Sequence, residues 1–81
     1  MKIELLLFAV AKELFGQPKI TVEMPEAATV AQLKTVLAKR QPDAADLIGR
    51  CAFSVDQQYA SDSTKLHPEQ EIAMIPPVSG G

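Results

Sequence analysis

Thr29-Val30-Ala31-Gln32-Leu33-Lys34-Thr35-Val36-Leu37-Ala38-Lys39-Arg40-Gln41-Pro42 is the stretch that decides how the rest of this 81-residue chain folds. Val30, Leu33, Val36 and Leu37 recur at helical spacing and share one side, while Lys34 and Lys39 point elsewhere. Thr29 stands just before the pattern with Gln32 three residues on, so hydroxyl and amide can satisfy orphan backbone groups reciprocally as a capping box. Pro42 ends the segment, because it has no N–H and its ring clashes with the preceding turn. The spacing predicts one long helix.

Outward from it the chain alternates. Residues 2–8 place Ile3, Leu5 and Leu7 on one face and Glu4, Leu6 and Phe8 on the other, the period of a strand. Residues 19–24 set Ile20, Val22 and Met24 against Lys19, Thr21 and Glu23, then meet Pro25, which cannot donate to a ladder. Between them, residues 9–15 are good helix formers stopped by Gly16, a short helix or turn. Beyond the long helix, residues 43–48 form another short turn before Gly49, with Asp43 and Asp46 favouring its start electrostatically. Residues 51–55 read as a third strand with Ala52 and Ser54 alternating, and residues 57–60 as a brief edge strand. Residues 71–75 are the last strand, with Ile72 and Met74 on one face and Ala73 and Ile75 on the other, terminated by Pro76-Pro77. This order implies an α+β fold: a mixed sheet of four to five strands with one main helix packed on one face, rather than repeating βαβ units. The expected division is a globule over residues 1–75 and an extended tail over residues 76–81.

Composition narrows the function classes. A chain this short has room for one domain and buries only about 60% of its unfolded surface. Its 47% apolar and 22% charged residues are those of an ordinary globule. The net charge of -2 comes from 8 basic and 10 acidic residues spread along the chain. No basic cluster stands ready to neutralise a row of phosphates, which disfavours nucleic acid. Cys51 is alone, so it can neither close an internal disulfide nor complete a thiolate metal site, and a reducing cytoplasm is the simplest home. It reads as a small buried hydrophobe. His67 precedes Pro68 with no partner at ligand spacing and reads as a solvated turn residue, so no metal site is expected. Glu4 interrupts the apolar opening, which is also too short for a signal peptide, and no stretch approaches the ~18 apolar residues that cross a bilayer.

One helix covers only one face. If Ile3, Leu5, Leu7, Ile72 and Met74 pack beneath it, then Leu6, Phe8 and Ile75 emerge opposite, where a free monomer favours polar groups. Two readings stand side by side: a docking surface, or side chains covered by residues 9–15 or by the loop after Val55.

Pro76-Pro77-Val78-Ser79-Gly80-Gly81 has neither helical nor strand pattern. Its prolines favour an extended start that holds the following residues off the globule. Six extended residues reach at most ~20 Å, enough to enter another protein's active site. Terminal glycines let the backbone pass a narrow channel and bring the end carboxylate to a reagent, which places the chemistry at Gly81. Fraying is the default for a terminus, but a rigid Pro-Pro, a compact domain and terminal glycines together favour function.

Leu7-Phe8-Ala9-Val10-Ala11-Lys12-Glu13-Leu14 is similar to the opening strand and turn of the small subunit of molybdopterin synthase, a ubiquitin-like sulfur carrier of β-grasp fold. Ile75-Pro76-Pro77-Val78-Ser79-Gly80-Gly81 matches that family's ending, and the resemblance runs nearly the whole length. Carriers of the thiamine pathway and tRNA-thiolation modifiers also end in Gly-Gly but generally lack Pro-Pro-Val. This chain departs from the family at residues 67–71, where an Asp-Gly-Asp turn is frequent, and at Met74 and Ile75, where an aromatic is common.

The resemblance implies a mechanism and partners. An E1-like adenylating enzyme consumes ATP to convert the Gly81 carboxylate to an acyl-adenylate; no cofactor is held permanently by the carrier. Sulfur from a persulfide then displaces AMP and leaves a thiocarboxylate. Pro76, Pro77, Val78, Ser79 and Gly80 thread the tail into the synthase large subunit, in a heterotetramer of two small and two large subunits. There the sulfur attacks cyclic pyranopterin monophosphate, and acid–base groups come from the large subunit. The apolar partner patch falls on Phe8, Tyr59 and Ile75. Other readings are a sulfur carrier of another pathway, a ubiquitin-like modifier joined to lysines through Gly81, and a plain interaction module that never activates its tail.

Overall fold

The computed structural model describes residues 1–77. Its elements are β1 (Lys2–Leu7), α1 (Ala9–Phe15), β2 (Lys19–Glu23), α2 (Val30–Arg40), a 3-10 turn (Pro42–Ala44), α3 (Ala45–Arg50), β3 (Ala52–Val55), β4 (Gln58–Ala60) and β5 (Ile72–Ile75). The strands form one five-stranded sheet in the order β2-β1-β5-β3-β4. β1 and β5 run parallel, with Leu5 opposite Ile72 and Leu7 opposite Met74, and the other neighbours are antiparallel. The mixed sheet carrying one long helix is the arrangement predicted above.

α2 begins where its sequence says it must. The Thr29 hydroxyl accepts from the Gln32 N–H, and the Gln32 side-chain oxygen accepts from the Thr29 N–H at 2.9 Å, a complete capping box. The remaining orphan donors find a second source. Val30 N–H donates to the Thr64 carbonyl and Ala31 N–H to the Asp62 carbonyl, each at 3.0 Å, so the loop before β5 is fastened to the helix start. Lys34 leans onto the same loop: its Nζ lies 2.7 Å from Asp62 Oδ1 and 5.8 Å from the centroid of the Phe53 ring. At the other end Gln41 Nε2 donates to the Leu14 carbonyl at 3.0 Å, tying the helix to α1.

The core lies between α2 and the sheet. Ile3, Leu5, Leu7, Ile20, Val22, Phe53, Ile72 and Met74 come from the strands, and Val30, Leu33 and Leu37 from the helix, all buried. Val36, placed by its spacing on the same helical side, is only half-buried at the margin. Gly16 takes a left-handed φ of 74° and its N–H returns to the Lys12 and Glu13 carbonyls, closing α1 as expected. Gly49 does not stop the second turn. It lies inside α3, which runs on to Arg50 because the chain turns into β3 only at Cys51, where φ is -70° and ψ 146°.

β3 and β4 are joined through Asp56 and Gln57, whose φ values of 50° and 69° are both left-handed. That pair of conformations matches the twist of the strands but favours Asn-Gly, and this chain meets it without glycine. Asp56 compensates: its Oδ1 accepts from the Glu71 N–H at 2.9 Å and its own N–H donates to the Glu71 carbonyl at 2.8 Å, fixing the hairpin to the start of β5. Gln57 makes no such bond among the described residues. Gln57→Gly is expected to raise unfolding free energy by about 1 kcal/mol in urea denaturation by removing left-handed strain. Equal or lower stability would show that the turn is unstrained.

Candidate functional site

The pleat of β1 sends Leu6 through the sheet to the face away from α2, and the strand registers continue that line. Lys19 pairs with Leu6, Leu6 with Ala73, Ala73 with Ser54, and Ser54 with Tyr59, so one row of side chains crosses all five strands. In its middle stand two small residues, Ala73 and Ser54. Larger side chains rise around them, and the result is a hollow of about 390 Å³ lined by Leu6, Phe8, Ser54, Gln57, Tyr59, Glu71, Ala73 and Ile75. Ala73 is 5% exposed although it faces outward, because the taller neighbours stand over it.

The three residues expected at a partner interface all line this hollow. Phe8 is 50% and Tyr59 80% exposed, and Ile75 is half-buried. Neither segment considered as a cover lies over them. α1 buries Ala11 and packs Leu14 and Phe15 against the core on the side of α2, and the residues after Val55 turn back in the plane of the sheet as β4. Aromatic side chains this open, around a preformed hollow, are what a docking surface needs. The floor residues Ser54 and Ala73 and the rim residues Gln57 and Glu71 were not picked out from sequence. Their signal is only that small or polar residues occupy the outward positions of central strands.

A second hollow of about 280 Å³ adjoins the first, sharing Leu6 and Glu71 and adding Glu4, Lys19, Pro68, Glu69, Gln70 and Ile72. Lys19 Nζ is 3.4 Å from Glu4 Oε2 there, an exposed pair worth little in water. β5 ends beside the first hollow at Ile75. Pro76 is half-buried and Pro77 exposed. Val78, Ser79, Gly80 and Gly81, the other residues expected to act, lie outside the described residues.

The remaining reactive side chains are remote from this face or unremarkable in chemistry. His67 is exposed, and its backbone N–H donates to Gln70 Oε1 at 2.8 Å within a turn. Asp43 and Asp46 stand in the first turns of the 3-10 segment and of α3. Among the described residues no group of three His, Cys, Asp or Glu side chains is arranged to hold a metal ion, and no helix is long and apolar enough to cross a membrane. Cys51 is free and buried.

Comparison with known proteins agrees with this geometry. The ThiS family model matches residues 5–81. The molybdopterin synthase sulfur carrier subunit of Homo sapiens is 35% identical over 99% of this chain and 94% of its own length, and that of Arabidopsis thaliana 33% identical over 100% and 84%. SAMP1 from Haloferax volcanii superposes with a TM-score of 0.78 at 26% identity over the whole of both chains. A chain in the Helicobacter pylori complex of subunits 1 and 2 of molybdopterin-converting factor gives 0.67 at 20% identity, also over the whole of both, a likeness of fold. Sheet order, helix placement and full-length matches define a ubiquitin-like β-grasp domain of the sulfur-carrier class. Within that class the chain belongs to the ThiS family, among the molybdopterin synthase sulfur carrier subunits.

Burial raises the Cys51 thiol pKa above its ordinary 9.0, against the opposing pull of the Lys34 and Arg50 charges. The folded chain therefore keeps a proton at pH values where the unfolded chain loses it. The associated stability is fully present below pH 9.0 and is lost as pH rises through the folded value. Urea denaturation of wild type and Cys51→Ala should show a constant gap below pH 9.0 that moves against the wild type above it. Parallel curves throughout would mean that the thiol is not desolvated.

Proposed function

We propose that this chain is the sulfur-carrying subunit of a molybdopterin synthase, working through the carboxylate of Gly81. The observation that carries the reading is the open hollow bounded by Phe8, Tyr59 and Ile75 at the point where β5 gives way to Pro76-Pro77. A partner seated on that face stands directly beside the origin of the residues 76–81 segment. Docking and delivery are then one event, with Phe8, Tyr59 and Ile75 as anchors and Pro76, Pro77, Val78, Ser79 and Gly80 as the lead into the partner's active site. Relatives named as sulfur carrier subunits, and a fold neighbour solved together with a second subunit, support a large-subunit partner. A heterotetramer of two small and two large subunits is the assembly proposed.

The chemistry follows from the poor electrophilicity of a carboxylate, which is anionic and resonance-stabilised. An E1-like adenylating enzyme uses ATP to join the Gly81 carboxylate to AMP with release of pyrophosphate. A persulfide sulfur displaces AMP, and reduction of the resulting acyl disulfide by a thiol leaves the thiocarboxylate. The thiocarboxylate is the softer nucleophile, and in the large subunit its sulfur attacks a carbon of cyclic pyranopterin monophosphate. Water then hydrolyses the acyl link and returns the carboxylate, and two such transfers build the dithiolene. General acid–base groups are assigned to the large subunit, since the hollow on this chain offers one carboxylate, Glu71, and no base beside it. The setting proposed is the cytoplasm.

Deletion of Gly81 should abolish sulfuration of the pterin precursor while leaving fold and large-subunit binding intact. Retained sulfuration would reject the carrier mechanism. Separately, Phe8→Asp places a charge where an aromatic anchor should be desolvated. It should weaken large-subunit binding at least ~30-fold, in the range of a lost interface anchor, while unfolding free energy changes by no more than about 0.5 kcal/mol. Unchanged affinity by calorimetry would remove the hollow from the interface.

A further inference from the structure

The sheet has two edges. β4 at one end is three residues long, whereas β2 at the other offers five, set between Pro18 and Pro25. Leu7 N–H donates to the Pro18 carbonyl and Met24 N–H to the Met1 carbonyl, each at 2.8 Å. Bonded pairs of an antiparallel ladder recur at every second residue, so between these two pairs Ile20 and Val22 are the β2 residues that exchange bonds with β1. The N–H and C=O groups of Lys19, Thr21 and Glu23 therefore point away from the sheet. Among the described residues one hydrogen bond reaches that outward row: Arg40 Nη1, from the last turn of α2, donates to the Thr21 carbonyl at 3.2 Å.

Such a row is a template for another strand. Read antiparallel against itself about Thr21, β2 sets Lys19 opposite Glu23, Ile20 opposite Val22 and Thr21 opposite Thr21. All three outward-pointing residues then fall at bonded positions, where each facing pair exchanges both of its main-chain hydrogen bonds. Lys19, Thr21 and Glu23 are exposed, so opposite charges meet on both sides of the two-fold axis and two threonines meet on it. Parallel pairing in the same register would put Lys19 beside Lys19 and Glu23 beside Glu23, and a foreign strand has no such match built in. An isologous contact of this kind closes at two copies, because each edge is used once.

We propose that β2 is a pairing edge for a second copy of this chain, antiparallel and centred on Thr21, and that Arg40 holds the edge shut in the single molecule. The contact goes beyond the carrier reading and lies at the far end of the sheet from Tyr59. Sedimentation velocity of the full chain over a range of concentrations tests it, with circular dichroism to establish folding. Arg40→Ala frees the Thr21 carbonyl in both copies and should tighten dimerisation roughly a hundredfold, the scale of two charge-assisted hydrogen bonds. In that background Lys19→Glu or Glu23→Lys alone should weaken the dimer roughly tenfold by facing like charges, and the two together should restore it. Thr21→Pro removes an N–H that the β1 ladder does not use and should leave a folded monomer. If Arg40→Ala stays monomeric at the highest concentration, the proposal is overturned. It is equally overturned if single charge reversals have no effect or the double reversal fails to recover the dimer, and those arms decide the matter should Thr21→Pro not fold.

Discussion

The parallel pairing of β1 with β5 is the interaction on which the rest of this molecule rests. It sets Leu5 against Ile72 and Leu7 against Met74 under the helix, and it wedges β5 between β1 and β3 so that a four-residue strand is bonded on both sides. The two partners are nearly a full chain apart in sequence, so the pairing closes the longest loop in the fold and can reward that entropy only when the intervening helix is in place. The bonds from Val30 and Ala31 to the Thr64 and Asp62 carbonyls bring the loop before β5 onto α2, which delivers the strand to its slot.

That same wedge shapes the outer face. Putting β5 at the centre places Ala73 between Leu6 and Ser54, and the low pair Ala73 and Ser54 becomes a floor instead of an even apolar surface. It also means that the chain leaves the sheet from its middle at Ile75, next to the hollow, rather than from an edge. A free-standing globule gains nothing by exposing half of Phe8 and most of Tyr59. The arrangement makes sense when a second protein covers those rings and receives the chain end that begins beside them.

Much of this was legible in the sequence because it is local. Thr29 and Gln32 are three residues apart, so their mutual capping needs no knowledge of the fold, and the alternation of residues 2–8 fixes which of Leu5 and Leu6 faces the core once one helix is known to cover one face. What escaped was set by partners distant along the chain. Ser54 and Ala73 are inconspicuous until the register puts them side by side. The Asp56-Gln57 turn carries no glycine, because a bond to Glu71, fifteen residues away, holds it. Gly49 resembled a stop signal, yet its backbone continues α3 until Cys51. The role given to Gly81 comes from the motif at residues 75–81 and from the family, and lies beyond the residues whose geometry is described.

On the proposed function, the end of this chain is loaded with sulfur by other enzymes and unloaded into a pterin. The most direct measurement is the intact mass of the C-terminal peptide isolated from cells grown with molybdate. A population in which one terminal oxygen of Gly81 is replaced by sulfur is the predicted result. Gly81 found only as a free carboxylate, or only in amide linkage to lysines of other proteins, would contradict it.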